Sequence, residues 1–423
     1  MFARFLSSHT LVHHSLDTSC VTAMLNEKPK SSPTRKASSY KFSIANRIEF
    51  LNADHWDKVT AESSVFMSRR YLSSAQDEFS EDIVRNFAII YDHQTPVAAI
   101  ATQTFDVVGT QLVGSNSEET ENLPEQWKRK SLALLKRRLM ICGNVHTWGP
   151  HGAAIAAGQD QQPIWHGIAD CLYRIRRADR LHGQVDYVIV KDLVESDRLD
   201  ATALEPFRYR SLETEPNMVL SLSPHWLTLD DYLGSLTKRY RAAARKVRKP
   251  FESESLTVSP IRDIRSEADR ILQLYKAVAA KADVCLFELS ITTLPGIAES
   301  LNDNFETIGI RENGLLIGFV TVVRDGETAI GFYLGMDYAA NARLPVYHAL
   351  LLAVIEQAIS WRCKNISFGR TALEAKSRLG CKPETTHVWV RHRVPLVNFV
   401  VQQILKNVNH DEPPERNPFK NAD

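Results

Sequence analysis

Apolar and polar positions alternate along this chain with periods that change from segment to segment, and each period predicts an element. "KFSIANRIEFL" reads as a strand and "ADHWDKVTAE" as a helix. "NFAIIYDHQTPVAAIATQTF" sets two apolar runs around a polar turn containing Pro96, the pattern of a β-hairpin. Residues 107–130 are polar and acid-rich ("VGSNSEETENLPEQ") and predict an inserted loop. "RRLMICGNVHTWGP" reads as a further strand. In "QPIWHGIADCLYRIRRADR" the residues Ile164, Ile168, Leu172 and Ile175 recur at the helix period, and "DYVIVKD" is a buried strand.

The second half replays that order. "NMVLSLS" is a strand. "TLDDYLGSLTKRYRAAARKVRK" opens with Thr228 as N-cap and acids at 230 and 231, which marks a helix start. "LTVSPI" is a strand and "EADRILQLYKAVAAKA" a helix. "FETIGIRENGLLIGFVTVVRDGETAIGFYLG" gives three strands joined by hairpins at Glu312-Asn313-Gly314 and Asp325-Gly326. "PVYHALLLAVIEQAISWR" is a strong helix, with Pro345 suited to its first turn and an apolar stripe at Tyr347, Leu351, Ile355 and Ile359. "NISFG" is a buried strand. Both halves therefore read as helix, antiparallel strands, long helix, strand. The repeat is one of architecture, without residue-level similarity. The fold class is α+β, a mostly antiparallel sheet flanked by helices, occurring twice.

Composition narrows this picture only slightly. A chain of 423 residues exceeds what one core usually spans, so two domains are expected: 41–215 and 216–395. A formal net charge of +1 excludes any partner chosen by global charge alone. The six cysteines (Cys20, Cys142, Cys171, Cys285, Cys363, Cys381) show no paired spacing, which fits free thiols in a reducing, cytoplasmic setting. No apolar stretch reaches the length of a membrane span. The nearest, "VPLVNFVVQQIL", reads as a docking helix, with a peripheral membrane contact as the alternative, and belongs to a C-terminal helix and tail over 396–423. Residues 1–40 hold eight Ser and five basic residues against two acids, so a disordered extension is expected there. A targeting segment, or a true start at Met24, are its alternatives.

Three stretches, taken in order, carry a family resemblance: "LTLDDYLGSLTKRYRAAARKVRK", "FYLGMDYAANARLPVYHALLLAVIEQAI" and "FGRTALEAKSRLGCKP". The first has a Tyr-Leu pair before a basic helix. The second has a strand followed by a Tyr-led long helix. The third has a Lys-x-x-x-Gly pattern, here Lys376 and Gly380. Over residues 41–395 the chain resembles the GNAT acyltransferase superfamily in the tandem FemAB-like, or BioF-like, arrangement. That resemblance implies two GNAT-like domains, the second carrying the chemistry, and transfer of an acyl group to an amine. Acyl-CoA is the expected co-substrate, with no tightly bound cofactor. The acceptor is a small-molecule or peptide amine. The alternatives are an aminoacyl-tRNA donor serving a peptidoglycan precursor, and a catalytically inactive two-domain binding module. One departure stands out. The glycine loop that holds the CoA pyrophosphate in the superfamily is replaced here by "AANARLPVYHA", and Gly149, Gly152 and Gly158 of the first half do not have its spacing.

Amide formation needs a base for the amine, stabilisation of the oxyanion and a proton for the leaving group. The candidate catalytic residues are Lys376 for developing negative charge, Tyr333 as acid, Asp337 for the amine and His348 as base. Their plain structural readings are a solvated lysine, a packed aromatic, a turn-forming aspartate and a polar helix position. The candidate donor-binding set is Gly335, Arg343, Tyr347, Arg370 and Arg245. Arg370 has an ion pair with Glu374 as its plain reading. The run Lys238, Arg239, Arg241, Arg245, Lys246, Arg248 and Lys249 offers a phosphate-binding face or simply a solvated one. His146, His151 and His166 with Asp160 and Asp170 lack a metal-site spacing, so no metal is expected.

Overall fold

A computed structural model of the protein describes residues 39–78, 82–108, 136–281, 288–395, 397–398 and 414–420. The expected N-terminal extension, the core of the inserted loop and most of the C-terminal helix and tail lie outside the described residues.

The first half runs through β1 (Lys41–Ala45), α1 (Ala53–Thr60), α2 (Arg69–Glu78), β2 (Val84–Asp92), β3 (Thr95–Val108), β4 (Lys136–Cys142), β5 (Ala153–Ile155), α3 (Gln161–Ala178), β6 (Tyr187–Val194), α4 (Glu195–Asp200) and β7 (Arg210–Glu213). The second continues with β8 (Asn217–Ser221), α5 (Leu229–Ser235), α6 (Lys238–Arg248), β9 (Leu256–Pro260), α7 (Ala268–Ala279), α8 (Thr293–Leu301), β10 (Phe305–Glu312), β11 (Leu315–Asp325), β12 (Thr328–Met336), α9 (Tyr338–Arg343), α10 (Val346–Ser360), β13 (Asn365–Ser367), α11 (Leu373–Ser377), β14 (Lys382–Glu384) and β15 (Thr386–His392).

Two sheets result. One has the order β1-β2-β3-β4-β6-β15-β7, with β5 on β3; the other has the order β14-β8-β13-β12-β11-β10-β9. Each contains one parallel pair, β4 with β6 across α3 and β12 with β13 across α10, and all other pairs are antiparallel. That is the duplicated α+β architecture expected from the periodicities. The strand β15 lies within the range 216–395 expected for the second domain, yet it pairs with β6 and β7 of the first sheet. The two sheets are thus tied by the chain itself.

Two expected elements differ in extent. The helix expected over the stretch from Thr228 onward breaks into α5 and α6. Thr228 and Asp231 form a complete capping box. Then Leu236 turns extended and buries its side chain, and the N–H of Thr237 donates to Pro418 O of the C-terminal segment at 2.8 Å. Burial of Leu236 and that outside acceptor outweigh continued helix. The strand expected through Pro150 stops at Cys142, because Gly143 turns the chain out of the sheet and the loop beyond it reaches the second domain.

Helix α10 is buried almost all round, Val346, Leu350, Val354 and Ile355 among its covered residues, so it forms the centre of the second core. A further core is shared by the halves: Trp56, Phe66 and Phe87 meet Phe319, Val323 and Phe332, with the Phe66 and Phe332 rings 5.6 Å apart. Polar clasps reinforce it. Trp148 Nε1 donates to Ser367 Oγ at 2.7 Å, Tyr333 OH to His146 O at 2.9 Å, and Arg370 Nη2 to Asp192 Oδ1 at 2.6 Å. Asp192 is fully buried with a left-handed backbone, φ 58°, a strained conformation that persists only when its surroundings over-determine it. Its carboxylate also takes hydrogen bonds from Lys191 Nζ and the Gly149 N–H.

Burial by itself would raise the Asp192 carboxyl, but the Lys191 and Arg370 cations outweigh it and hold the pKa well below the usual range. A depressed folded-state pKa contributes stability above the unfolded value of about 3.9 and loses it as pH falls further. Asp192→Ala should therefore cost about 3–5 kcal/mol at neutral pH, since it leaves two cations facing an unfilled site. Urea denaturation of both proteins should show the difference shrinking below about pH 4.

Candidate active site

The second sheet carries a cavity on each face. Along β12 and β13, Ala329 and Ile366 point into the core under α10, while Thr328, Ile330, Asn365 and Ser367 point the other way, into a cavity between the domains. The strands β12 and β13 pair only from Thr328 to Ile330, so the last six residues of β12 run on without β13 beside them.

The larger cavity, about 1030 Å³, opens on the α10 side. Its floor is apolar, from Leu236, Ala244, Val247, Leu352 and Leu379. Its walls carry Arg239, Lys246, Lys249, Arg343, Arg378 and Arg416 against one acid, Glu374. Glu374 is shared by Arg378 and Arg416, and Arg343 is held by Glu312. Among the described residues, Arg239, Lys246 and Lys249 have no ion pair. Arg416 comes from the C-terminal segment, where Phe419 lies against Trp226 and Tyr232 and so near Gly380 that a β-carbon there would sit 2.3 Å from the Phe419 ring. His348, in the first turn of α10, lies on the cavity wall; burial and then the Arg378 charge lower its pKa, which keeps the imidazole neutral.

The start of α10 is not an open anion site. The Val346 N–H donates to Leu344 O at 2.8 Å and the Tyr347 N–H to Asn341 Oδ1 at 2.9 Å. Two of the N–H groups that a glycine loop would present to a phosphate are therefore spent, and cationic side chains are what remain to hold one.

Of the residues picked from sequence, Arg343 and His348 come together at this cavity. Lys376 lies directly beneath it on α11, between the wall residues Ala375 and Arg378, but it turns inward. Instead of a solvated lysine it is 3% exposed, and its Nζ donates to Gly369 O at 3.2 Å. Burial lowers its pKa to about 8, with the nearby Cys381 thiol acting in the opposite sense. Tyr347 stands on the inner side too, half-buried, its phenol pushed up to about 12 by burial and then by Cys381. Arg245 is exposed on α6 and does not line the cavity.

The others lie elsewhere. Arg370 pairs with Asp192 and Thr386 on the interdomain side rather than with Glu374. Tyr333 commits its hydroxyl to His146 O and stacks edge-on against Tyr275. Asp337 caps α9, accepting from the Ala339 and Ala340 N–H groups. Gly335 marks the close approach of α7: a β-carbon there would meet Tyr275 N at 2.6 Å.

The interdomain cavity was not legible as a site. It measures about 380 Å³ and includes His151, Asp192, Asp325, Arg370 and Glu384. Its sequence signal is "GPHG". A β-carbon on Gly149 would come within 2.4 Å of His151 Nε2, and one on Gly152 within 2.2 Å of Gly143 N. These glycines seat a histidine and hold two backbones together; they do not cradle a phosphate.

Residues 237–377 match the family described as acetyltransferase (GNAT) domain. The fold is shared with the crystal structure of FemX, at 9% identity and TM-score 0.52, over 84% of this chain and 98% of that one. A tandem GNAT protein from the clavulanic acid biosynthesis pathway aligns at 11% identity and TM-score 0.46 over 84% of this chain and 98% of its own. The structure of L-PGS from Bacillus licheniformis aligns at 12% identity and TM-score 0.41 over 77% and 90%. No curated protein matches the sequence. The second half thus carries a GNAT domain over residues 237–377, and the chain shares its fold with FemX. No helix among the described residues is long and apolar enough to cross a membrane.

The buried Lys376 makes a prediction with a definite sign. Its folded pKa lies below the unfolded value of about 10.4, so the unfolded chain binds more protons between these values and stability rises with pH there. Relative to Lys376→Met, the wild type should gain stability between about pH 8 and pH 10. Denaturant titrations of both proteins across that range would show it; parallel curves would place the ammonium in solvent.

Proposed function

We propose that this protein is an N-acyltransferase that takes an acyl group from acyl-CoA and passes it to an amine. The observation that carries the reading is the large cavity beside α10, with cations on its walls and an apolar floor. A phosphate-bearing head with a long, largely apolar arm fits such a lining, since the cations supply charge-assisted hydrogen bonds and the floor accepts the arm. Side-chain cations then do what the superfamily's glycine loop does with backbone N–H groups.

Chemically, the acceptor nitrogen forms the new N–C bond as the C–S bond breaks. His348, neutral and on the cavity wall, receives the proton that the amine gives up, and the departing thiolate takes one back. Lys376 acts from below, through its hydrogen bond to Gly369 O, and holds the end of β13 where it parts from β12. It is a positioning residue in this arrangement. The catalytic set proposed here omits Tyr333 and Asp337, whose polar atoms are engaged elsewhere.

A second donor, aminoacyl-tRNA, is favoured by one observation. Lys238 and Arg245 lie exposed on α6 outside the cavity and extend its positive charge over the surface, where a polyanion rather than one nucleotide would lie.

Thermal shift and calorimetry with acyl-CoA species test the first reading. Saturable binding is expected, weakened by at least about tenfold in Arg239→Ala/Lys246→Ala, the loss of roughly one charge-assisted hydrogen bond. His348→Ala should lower kcat and leave donor affinity nearly intact. Absence of any CoA-dependent shift, with aminoacyl-tRNA retained on a filter at low salt and lost steeply as salt rises, would transfer the assignment to the second donor.

A further inference from the structure

One wall of the large cavity is completed by a piece of chain distant in sequence. The segment 414–420 crosses the break between α5 and α6 as a short antiparallel bridge. Phe419 pairs with Leu236, the Lys420 N–H donates to Ser235 O at 3.0 Å, and the Thr237 N–H donates to Pro418 O at 2.8 Å. Phe419 is the anchor. Its ring centroid lies 5.6 Å from that of Trp226 and 6.3 Å from that of Tyr232, and its ring fills the space beside Gly380 where a β-carbon has no room. Tyr232 in turn donates its hydroxyl to Leu379 O at 2.8 Å, so the anchor and the turn after α11 form one unit.

What this anchoring delivers to the cavity is Arg416. Its Nη2 lies 3.2 Å from each carboxylate oxygen of Glu374, and Arg378 Nε donates to Oε1 of the same carboxylate at 2.7 Å. One anionic oxygen therefore accepts from two guanidinium groups brought from different parts of the chain. All three side chains are exposed, and exposed ion pairs contribute little to stability. The pair is not needed to hold the segment, which Phe419 and the backbone bridge already fasten. Two guanidinium groups converging on one oxygen, on a wall where Glu374 is the single acid among further cations, match the way a phosphate is held. A phosphate monoester brings more charge and more acceptor oxygens than a carboxylate, and displacing Glu374 from an exposed pair costs little.

We infer that Arg378 and Arg416 form a phosphate seat in the donor cavity, that Glu374 competes with the phosphate for it, and that the C-terminal segment is thereby part of the donor site. The inference deepens the acyl-CoA reading and rests on it for the identity of the donor; the seat itself requires only a phosphate. Glu374 sets its selectivity, since a ligand with a single carboxylate has no advantage over the one already there.

Calorimetry at low salt tests this with acetyl-CoA and with adenosine 3′,5′-bisphosphate, a nucleotide that carries the 3′-phosphate of CoA without its arm. The proteins are wild type, Arg416→Ala, Glu374→Gln and Phe419→Ala. The first two variants break the same ion pair. If that pair only fastened the segment, both would change affinity in the same direction or neither would change it. Competition requires opposite signs: Arg416→Ala should weaken both ligands by about fivefold or more, and Glu374→Gln should tighten them by about threefold or more. Phe419→Ala keeps every charge but loosens the anchor, and should weaken binding as Arg416→Ala does. Should it fail to fold, as seen by circular dichroism, the two exposed positions decide. The same sign in Arg416→Ala and Glu374→Gln, unchanged affinity in either, or unchanged affinity in folded Phe419→Ala would overturn the inference. Acetyl-CoA binding that ignores all three variants would keep the donor and remove the seat. Bisphosphate binding with the expected signs, but without binding of acetyl-CoA, would keep the seat and remove acyl-CoA as donor. Binding of neither ligand to the wild type would remove both.

Discussion

A single residue, Thr385, separates β14 of the second sheet from β15 of the first. Consecutive stretches of chain belong to two different sheets, so neither domain can move far without breaking a strand pairing. Thr386 reinforces the junction, accepting from the Thr214 N–H at 2.9 Å and sharing a hydroxyl contact with Thr214 at 2.8 Å. The shared aromatic core and the Arg370–Asp192 clasp both depend on this crossover. Because the halves are fixed, the space between them is a formed cavity with defined walls, and polar groups can be held there at a cost in desolvation.

That cost is visible in several places. Asp192 is buried in a strained backbone conformation, Lys376 is buried with one carbonyl as hydrogen-bond partner, and His151 is buried with an unpartnered nitrogen. A well-packed apolar replacement of the whole Asp192 ion-pair group, or of Lys376 or His151, would avoid that desolvation. Asp192 on β6 and His151 line the interdomain cavity, and Lys376 lies under the large one. Each therefore coincides with a place where the structure offers room for a ligand, where such strain is commonly retained.

The two cavities answer to different charges. The one beside α10 is cationic with an apolar floor, and the one between domains is anionic with a neutral histidine at its centre. The second sheet separates them. The absence of phosphate-loop glycines before α10, puzzling in the sequence, has a structural counterpart: Asn341 and Leu344 already satisfy the first N–H groups of the helix, and the cations of α6, α11 and the C-terminal segment are what line that space.

The sequence by itself determined the elements and their duplication, because periodicity, capping residues and turn residues act over a few neighbours. Thr228 with Asp231, the turns at Asn313-Gly314 and Gly326, and the apolar helix after Pro345 were all legible in that way. The basic stretch of α6 and His348 were also visible as candidates. Long-range packing decided the rest. The break at Leu236 depends on a carbonyl from Pro418, the burial of Lys376 on the fold of the strand end at Gly369, and the pairing of Arg370 on Asp192, distant in sequence. His151 and Asp325, far apart in the chain, meet only because β15 draws the two sheets together. No local pattern encodes such a meeting, since what places the residues is the crossover and not their neighbours.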